Sequence, residues 1–243
     1  MRRKGTRLIL GGLAALGLAG AVAVKIADFG HSNVPTPRPV SERPTLMLVT
    51  TLPIVFPEEF TLDATGSKAL AALETRYRVL PIGTTDTRSL GQARLLLMAH
   101  PLAQPAEDLV ALDQWVRGGG RVLLLADPLL EWPSKRPLGD KLRPPPSFAD
   151  TGLLSHWGLV LKEPEETGPR QGRLAGFEIL TASPGSLGGE CAILDRGLVA
   201  RCTLGKGKVT VVADADFLNV EGLNGPTEHN LAALLTVLAE LER

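Results

Sequence analysis

The stretch PAEDLVALDQWVRGGGRVLLLADP, Pro105 to Pro128, decides the fold class. Pro105 suits a first helical position, and Glu107 and Asp108 sit where the positive end of a helix dipole favours anions. Leu109, Leu112 and Val116 recur at helical spacing, and Arg117 occupies the last turn. Gly118, Gly119 and Gly120 then stop the helix, because glycine tolerates the left-handed backbone that closes it. In RVLLLA, everything after Arg121 is apolar, the pattern of a strand covered on both faces. One helix delivering one such strand is the repeating unit of an α/β domain.

Working outward, the same unit recurs. TLMLVTT (Thr45–Thr51) reads as a strand, SKALAALETRY as a helix with Leu70 and Leu73 inward, and RVLPI and ARLLLMAHP (Ala93–Pro101) as two further strands. LLEWPSKRPLGDKLRPPPSFAD holds five prolines without periodicity and reads as a long loop. TGLLSHWGLVLK predicts a short helix ending at Gly158 and a strand. Residues 163–189, rich in Gly, Pro and Glu, give no clear element. KVTVVADADF is a strand, and TEHNLAALLTVLAELER a closing helix with Leu231, Leu234, Leu235, Leu238 and Leu241 as its apolar stripe and Thr227 as its cap. Together these predict a three-layer α/β sandwich with a mostly parallel sheet and a late β-hairpin.

The N-terminus is of a different kind. Arg2, Arg3, Lys4 and Arg7 precede an uncharged run from Leu8 to Val24. At 1.5 Å per residue that run is roughly 26 Å long, close to a hydrocarbon core of about 30 Å. Two readings stand: an uncleaved transmembrane anchor, or a signal peptide cleaved near Ala21–Ala23. Either exports the remainder of the chain, since the basic flank stays cytoplasmic. Residues 25–44, with Pro35, Pro37, Pro39 and Pro44, read as an extended linker. The domain plan is therefore anchor or signal 1–24, linker 25–44 and exported α/β domain 45–243. The expected location is the inner membrane with the domain in the periplasm, or the periplasm alone if the segment is cleaved.

Cysteine usage fits export. Cys191 and Cys202 lie in CAILDRGLVARC. If Arg196-Gly197 is a two-residue turn, residues whose numbers sum to about 393 stand opposite one another, and the two cysteines meet across the ladder. A turn one residue longer breaks that register, and two buried free thiols are the alternative. Zinc requires more ligands than two cysteines.

The totals exclude some functions. Among 243 residues the formal net charge is +0 and no basic stripe comes after the N-terminus, so no nucleic-acid partner is expected. Aromatic residues are 4%, with one tyrosine, which disfavours a base-stacking surface.

In open parallel sheets ligands bind beyond the carboxyl ends of the strands. Here three strands end in polar residues: His100, Asp127, and Asp214 with Asp216. With Glu228 and His229 at the start of the last helix, these are the ligand-pocket candidates, able to bind a divalent cation or act in acid–base catalysis. The bland reading is that an acid after a strand caps the next turn. No G-x-S-x-G elbow occurs, and GKGK (Gly205–Lys208) lacks the spacing of a phosphate loop. No catalytic residue, metal or cofactor is therefore assigned.

ALDQWVRGGGRVLLLADPLL, LLSHWGLVL and GKGKVTVVADADFLN with its final leucine-rich helix resemble the auxiliary component of gliding-motility-type ABC transport systems. That family carries a domain also seen in certain intraflagellar-transport proteins, with a fold like class I glutamine amidotransferases. The resemblance spans about residues 45–242. It implies an exported, membrane-tethered, non-catalytic domain whose partner is a membrane subunit of an ABC-type system. Amidotransferase-like enzymes use a cysteine at a strand-to-helix elbow. The corresponding place, Asp127-Pro128, holds none, so no catalytic residue carries over. The rival function is an exported hydrolase or metal-dependent enzyme using Asp127, Asp214, Asp216 and His229.

Overall fold

The computed structural model describes residues 34–56, residue 58 and residues 66–243. The expected N-terminal anchor lies outside the described residues, and among those described no helix is long and apolar enough to cross a membrane.

Strands β1 (Thr45–Thr50), β2 (Arg78–Pro81), β3 (Leu95–Ala99) and β4 (Arg121–Leu125) arise where the apolar runs place them. They alternate with helices α1 (Lys68–Glu74), α2 (Thr87–Leu90) and α3 (Ala106–Arg117). Helix α1 starts at Ser67, whose hydroxyl accepts the Leu70 N–H, and α2 at Asp86, whose carboxylate accepts from Arg88 and Ser89. Pro105 stands one position before α3 rather than inside it. Later come α4 (Leu153–His156), β5 (Leu159–Lys162), β6 (Pro169–Leu174), β7 (Phe177–Ala182), β8 (Ser186–Gly189), β9 (Ala192–Leu194), β10 (Val199–Leu204), β11 (Gly207–Val212) and α5 (Asn230–Glu242).

The central sheet has the order β2-β1-β3-β4-β11-β10-β9. Its first five strands are parallel, and β10 and β9 append an antiparallel edge. Because side chains alternate along a strand, each parallel strand feeds two cores. Leu46, Leu48, Leu97, Leu123 and Leu125 pack with Leu73 of α1 and Leu234 and Leu238 of α5. Met47, Val49, Leu96, Met98, Val122 and Leu124 pack on the other face with Leu112 and Val116 of α3 and Trp157. The inner parallel strands are mainly apolar because both faces are covered, and the chain is a mixed α/β fold built on a mostly parallel sheet.

The segment 163–189, without a clear pattern in sequence, supplies β6, β7 and β8, which form the ribbon β6–β7 and, with the expected strand β5, the ribbon β5–β8. Thr227 does not cap α5: its hydroxyl donates to the Val220 carbonyl, and the helix begins after His229. Gly207 permits the close approach of β11 to α3, since a Cβ there would meet the Val116 carbonyl oxygen at 1.9 Å.

Cys191 and Cys202 are disulfide-bonded, with Cα atoms 5.0 Å apart. Leu194 lies opposite Val199, Ile193 opposite Ala200 and Ala192 opposite Arg201, the register expected from the sequence. The turn is not the expected two residues but four, Asp195–Leu198; one more residue on each side leaves the register unchanged. The bridge therefore ties the three-residue edge strand β9 to the sheet. Reduction should lower the unfolding free energy by about 2–3 kcal/mol, the entropy scale for so short a loop. Urea denaturation with and without reductant measures it, and a Cys191→Ser, Cys202→Ser double variant should match the reduced protein.

Residues 34–44 lie against the domain instead of standing free. Arg38 and Glu242 form a two-pronged ion pair, Tyr77 donates to the same carboxylate, and the Arg38 N–H reaches the Thr75 carbonyl at 2.9 Å. A charged side chain of this reach docks a proline-rich segment that apolar patterning alone would leave loose.

Candidate functional site

The strand-end acids converge as the parallel register requires. Val212 of β11 lies beside Leu125 of β4, so chain exits at Asp127 and Asp214 are neighbours. Asp127, Asp214 and Asp216 are buried, and each brings one carboxylate oxygen within 4.8 Å of the others.

Each acid is also a strut. Asp127 accepts from the Leu129 N–H at 2.9 Å through one oxygen and from the Ala215 N–H at 2.8 Å through the other. Asp214 accepts from the Thr181 hydroxyl and from the N–H groups of Asp216 and Phe217. Asp216 accepts from the Glu131 N–H at 2.7 Å, and Glu131 in turn accepts from Ser183 and the Gly168 N–H. Three loops are thereby knotted to one another at the carboxyl edge of β4 and β11.

Burial of acids without a neighbouring cation disfavours their charged forms. Asp127 is pushed up to about 6 by burial, with its backbone donors pulling the other way. Asp216 is pushed up to about 7 by burial and then by the charge of Asp127. Asp214 stands well above the ordinary carboxylate range for the same two reasons. The three act as one set sharing protons rather than as three separate anions.

The histidines do not join this set. His100 ends β3 on the same edge, buried and in a left-handed conformation at φ 47°, and its Nε2 pairs with the Pro145 carbonyl at 2.9 Å. Burial lowers its pKa. His229 is exposed at the start of α5, its ring 5.9 Å from that of Phe177, and Glu228 beside it is exposed too. The long proline-rich loop runs over the crevice: Pro145 meets His100, Phe148 N–H donates to the Asp127 carbonyl, and Leu130 N–H donates to the Pro146 carbonyl. Sequence reasoning missed Thr181, Ser183 and Glu131, because none stands at the end of an apolar run; each is recruited by a carboxylate or amide that only the fold brings near.

No family model matches the chain, and no curated protein does. Solved structures are similar in fold. The mmIFT52 N-terminal domain aligns at 16% identity over 82% of this chain and 97% of that one, with a TM-score of 0.52. Cytoplasmic Protein STM3548 from Salmonella typhimurium aligns at 10% identity over 82% and 98%, also at 0.52. Exo-beta-1,4-mannosidase Op5Man5 from Opitutaceae bacterium strain TAV5 aligns at 13% identity and a TM-score of 0.46. The chain covers 36% of that enzyme's length. These likenesses concern fold alone.

The acid set predicts a pH dependence with a definite sign. Its carboxyl groups titrate higher folded than unfolded, so the folded state binds more protons between about pH 4 and pH 7. Stability should be greatest on the acidic side of that window and fall as pH rises through 6–7. Urea midpoints measured from pH 5 to pH 8 should decline, and Asp216→Asn, which keeps an oxygen for the Glu131 N–H and removes a charge, should flatten the decline.

Proposed function

We propose that this chain is an exported, membrane-tethered binding and assembly domain without catalysis of its own, working beside a membrane subunit of an ABC-type transport system. The observation that carries the non-catalytic reading is how the strand-end acids are engaged. Both oxygens of Asp127, and those of Asp214, hold backbone N–H groups of the loops around them. The proline-rich loop lies over the place where an α/β domain ordinarily presents its chemistry. Groups committed to fixing backbone are poor at binding substrate and releasing it.

Export is supported by the disulfide, which persists in oxidising compartments, and by the cationic head of the apolar N-terminal run. The transporter partner rests on the sequence resemblance, and the likeness to the IFT52 domain agrees with it in fold only. Within the α/β class, the finer topology we propose is the class I glutamine-amidotransferase-like one, with the loop after β4 lacking the elbow cysteine.

A second reading has one observation in its favour: three carboxylate oxygens within 4.8 Å could hold a divalent cation and support hydrolysis. Calorimetric titration of the full-length chain in detergent with Mg²⁺, Ca²⁺, Mn²⁺ and Zn²⁺ separates the two. We expect no heat from any of them; saturable binding abolished by both Asp127→Asn and Asp214→Asn would replace the assembly reading with the metal one. Mild detergent extraction of the full-length chain should bring down a polytopic membrane subunit. Labelling of intact cells should find the C-terminus outside the cytosol, and a cytosolic C-terminus would refute the proposal.

A further inference from the structure

A cavity of about 810 Å³ opens beside the β6–β7 ribbon, lined by none of the three acids, and its walls include Arg170, Gln171, Gly172 and Arg173. These four are consecutive residues of β6. Side chains on a strand alternate between faces, so four neighbours in a row reach one cavity only if the strand turns its backbone edge toward it.

The ribbon has two edges, and the fold treats them differently. On β7, the Leu180 N–H donates to Asn230 Oδ1 at 3.0 Å and the Leu180 carbonyl accepts from Asn230 Nδ2 at 2.7 Å. A buried amide therefore stands where a further strand would pair. On β6, no strand pairs with the outer edge among the described residues. Leu180 lies opposite Gln171. In an antiparallel ladder the two residues of such a pair point their N–H and C=O the same way relative to the ladder, both inward or both outward. Because Leu180 gives both groups to Asn230, Gln171 gives both of its own to the cavity. Arg173, two residues on, does the same. An open row of main-chain donors and acceptors over a cavity is the arrangement that accepts an added strand.

The surrounding charges say what kind of strand. Glu163, Glu165 and Glu178 line the cavity with Arg196, and none of the four makes a hydrogen bond or ion pair among the described residues. Arg173 stands opposite Glu178 in the ladder, and its charge also acts on Asp195 across the rim. Asp195 and Arg196 are themselves left-handed, at φ 51° and 59°, where side-chain-bearing residues are costly to hold. Unpaired groups of both signs suit a peptide carrying both signs; they suit neither a simple anion nor an apolar helix.

Resting on the binding reading above, we propose that the open edge of β6 captures an extended, mixed-charge peptide segment of a partner protein by strand addition. The probe is a library of eight-residue peptides in which lysine and glutamate alternate with valine and threonine, presented to the full-length chain in detergent. Bound peptides should slow hydrogen exchange at the Gln171 and Arg173 amides and leave the ladder amides of Arg170 and Gly172 unchanged. Gln171→Pro removes an outward N–H without touching the β6–β7 ladder and should weaken binding by about tenfold, the scale of one such bond. Should that variant fail to fold, Glu163→Lys with Glu165→Lys, both on the surface, should shift selection toward acidic peptides. Absence of protection at both amides with every library member, or equal affinity in the Gln171→Pro variant, overturns the proposal. A peptide bound at β6 with no transporter subunit co-purifying would retain this site and remove only the transporter assignment.

Discussion

One carboxylate holds two strand exits together. Asp127 receives the Leu129 N–H through one oxygen and the Ala215 N–H through the other, so the chain leaving β4 and the chain leaving β11 are joined at their first turn. Neither exit runs directly into an α-helix, as the exits of ordinary parallel strands do. Long loops here have many backbone groups to satisfy, and a buried acid with two oxygens satisfies them more compactly than water could. The position of the proline-rich loop, the burial of Asp214 and Asp216, and their raised pKa values all stem from this knot.

The same arrangement explains why so much of the domain was legible in sequence and why its site was not. Strands β1, β3, β4 and β11 announce themselves because both faces are covered and their central residues are almost all apolar. The hairpin register could be read from number sums, and survived a longer turn because the insertion was symmetric about Arg196-Gly197. Asp127, Asp214 and Asp216 could be grouped from strand-end logic, and the parallel register does group them. His229 could not be excluded by that logic, since only the path of α5 puts it at the surface. Strand β5 was legible after Gly158, but β6 and β8 were silent because they are largely exposed or rich in glycine and charge and carry no period, and β7 was lost between them. Their partners are set by tertiary contacts such as Asn230 with Leu180.

An assembly domain and an enzyme make different demands on a crevice. The strand-end acids of this crevice are tied to main chain. The ribbon beside the crevice is the opposite case, with main chain unspoken for and charges without partners. On a fold that hosts unrelated activities, such local contrasts carry more weight than the architecture.

The clamp between Arg38 and Glu242 has a further consequence. It joins a segment made early in synthesis to a helix made late, and Arg121 at the start of β4 donates to the Leu241 carbonyl in the same corner. During synthesis the early segment has no such partner until α5 has emerged and docked. The ion pair that completes the docking of residues 34–44 therefore needs α5 in place, whereas the Arg38 N–H contact with the Thr75 carbonyl does not.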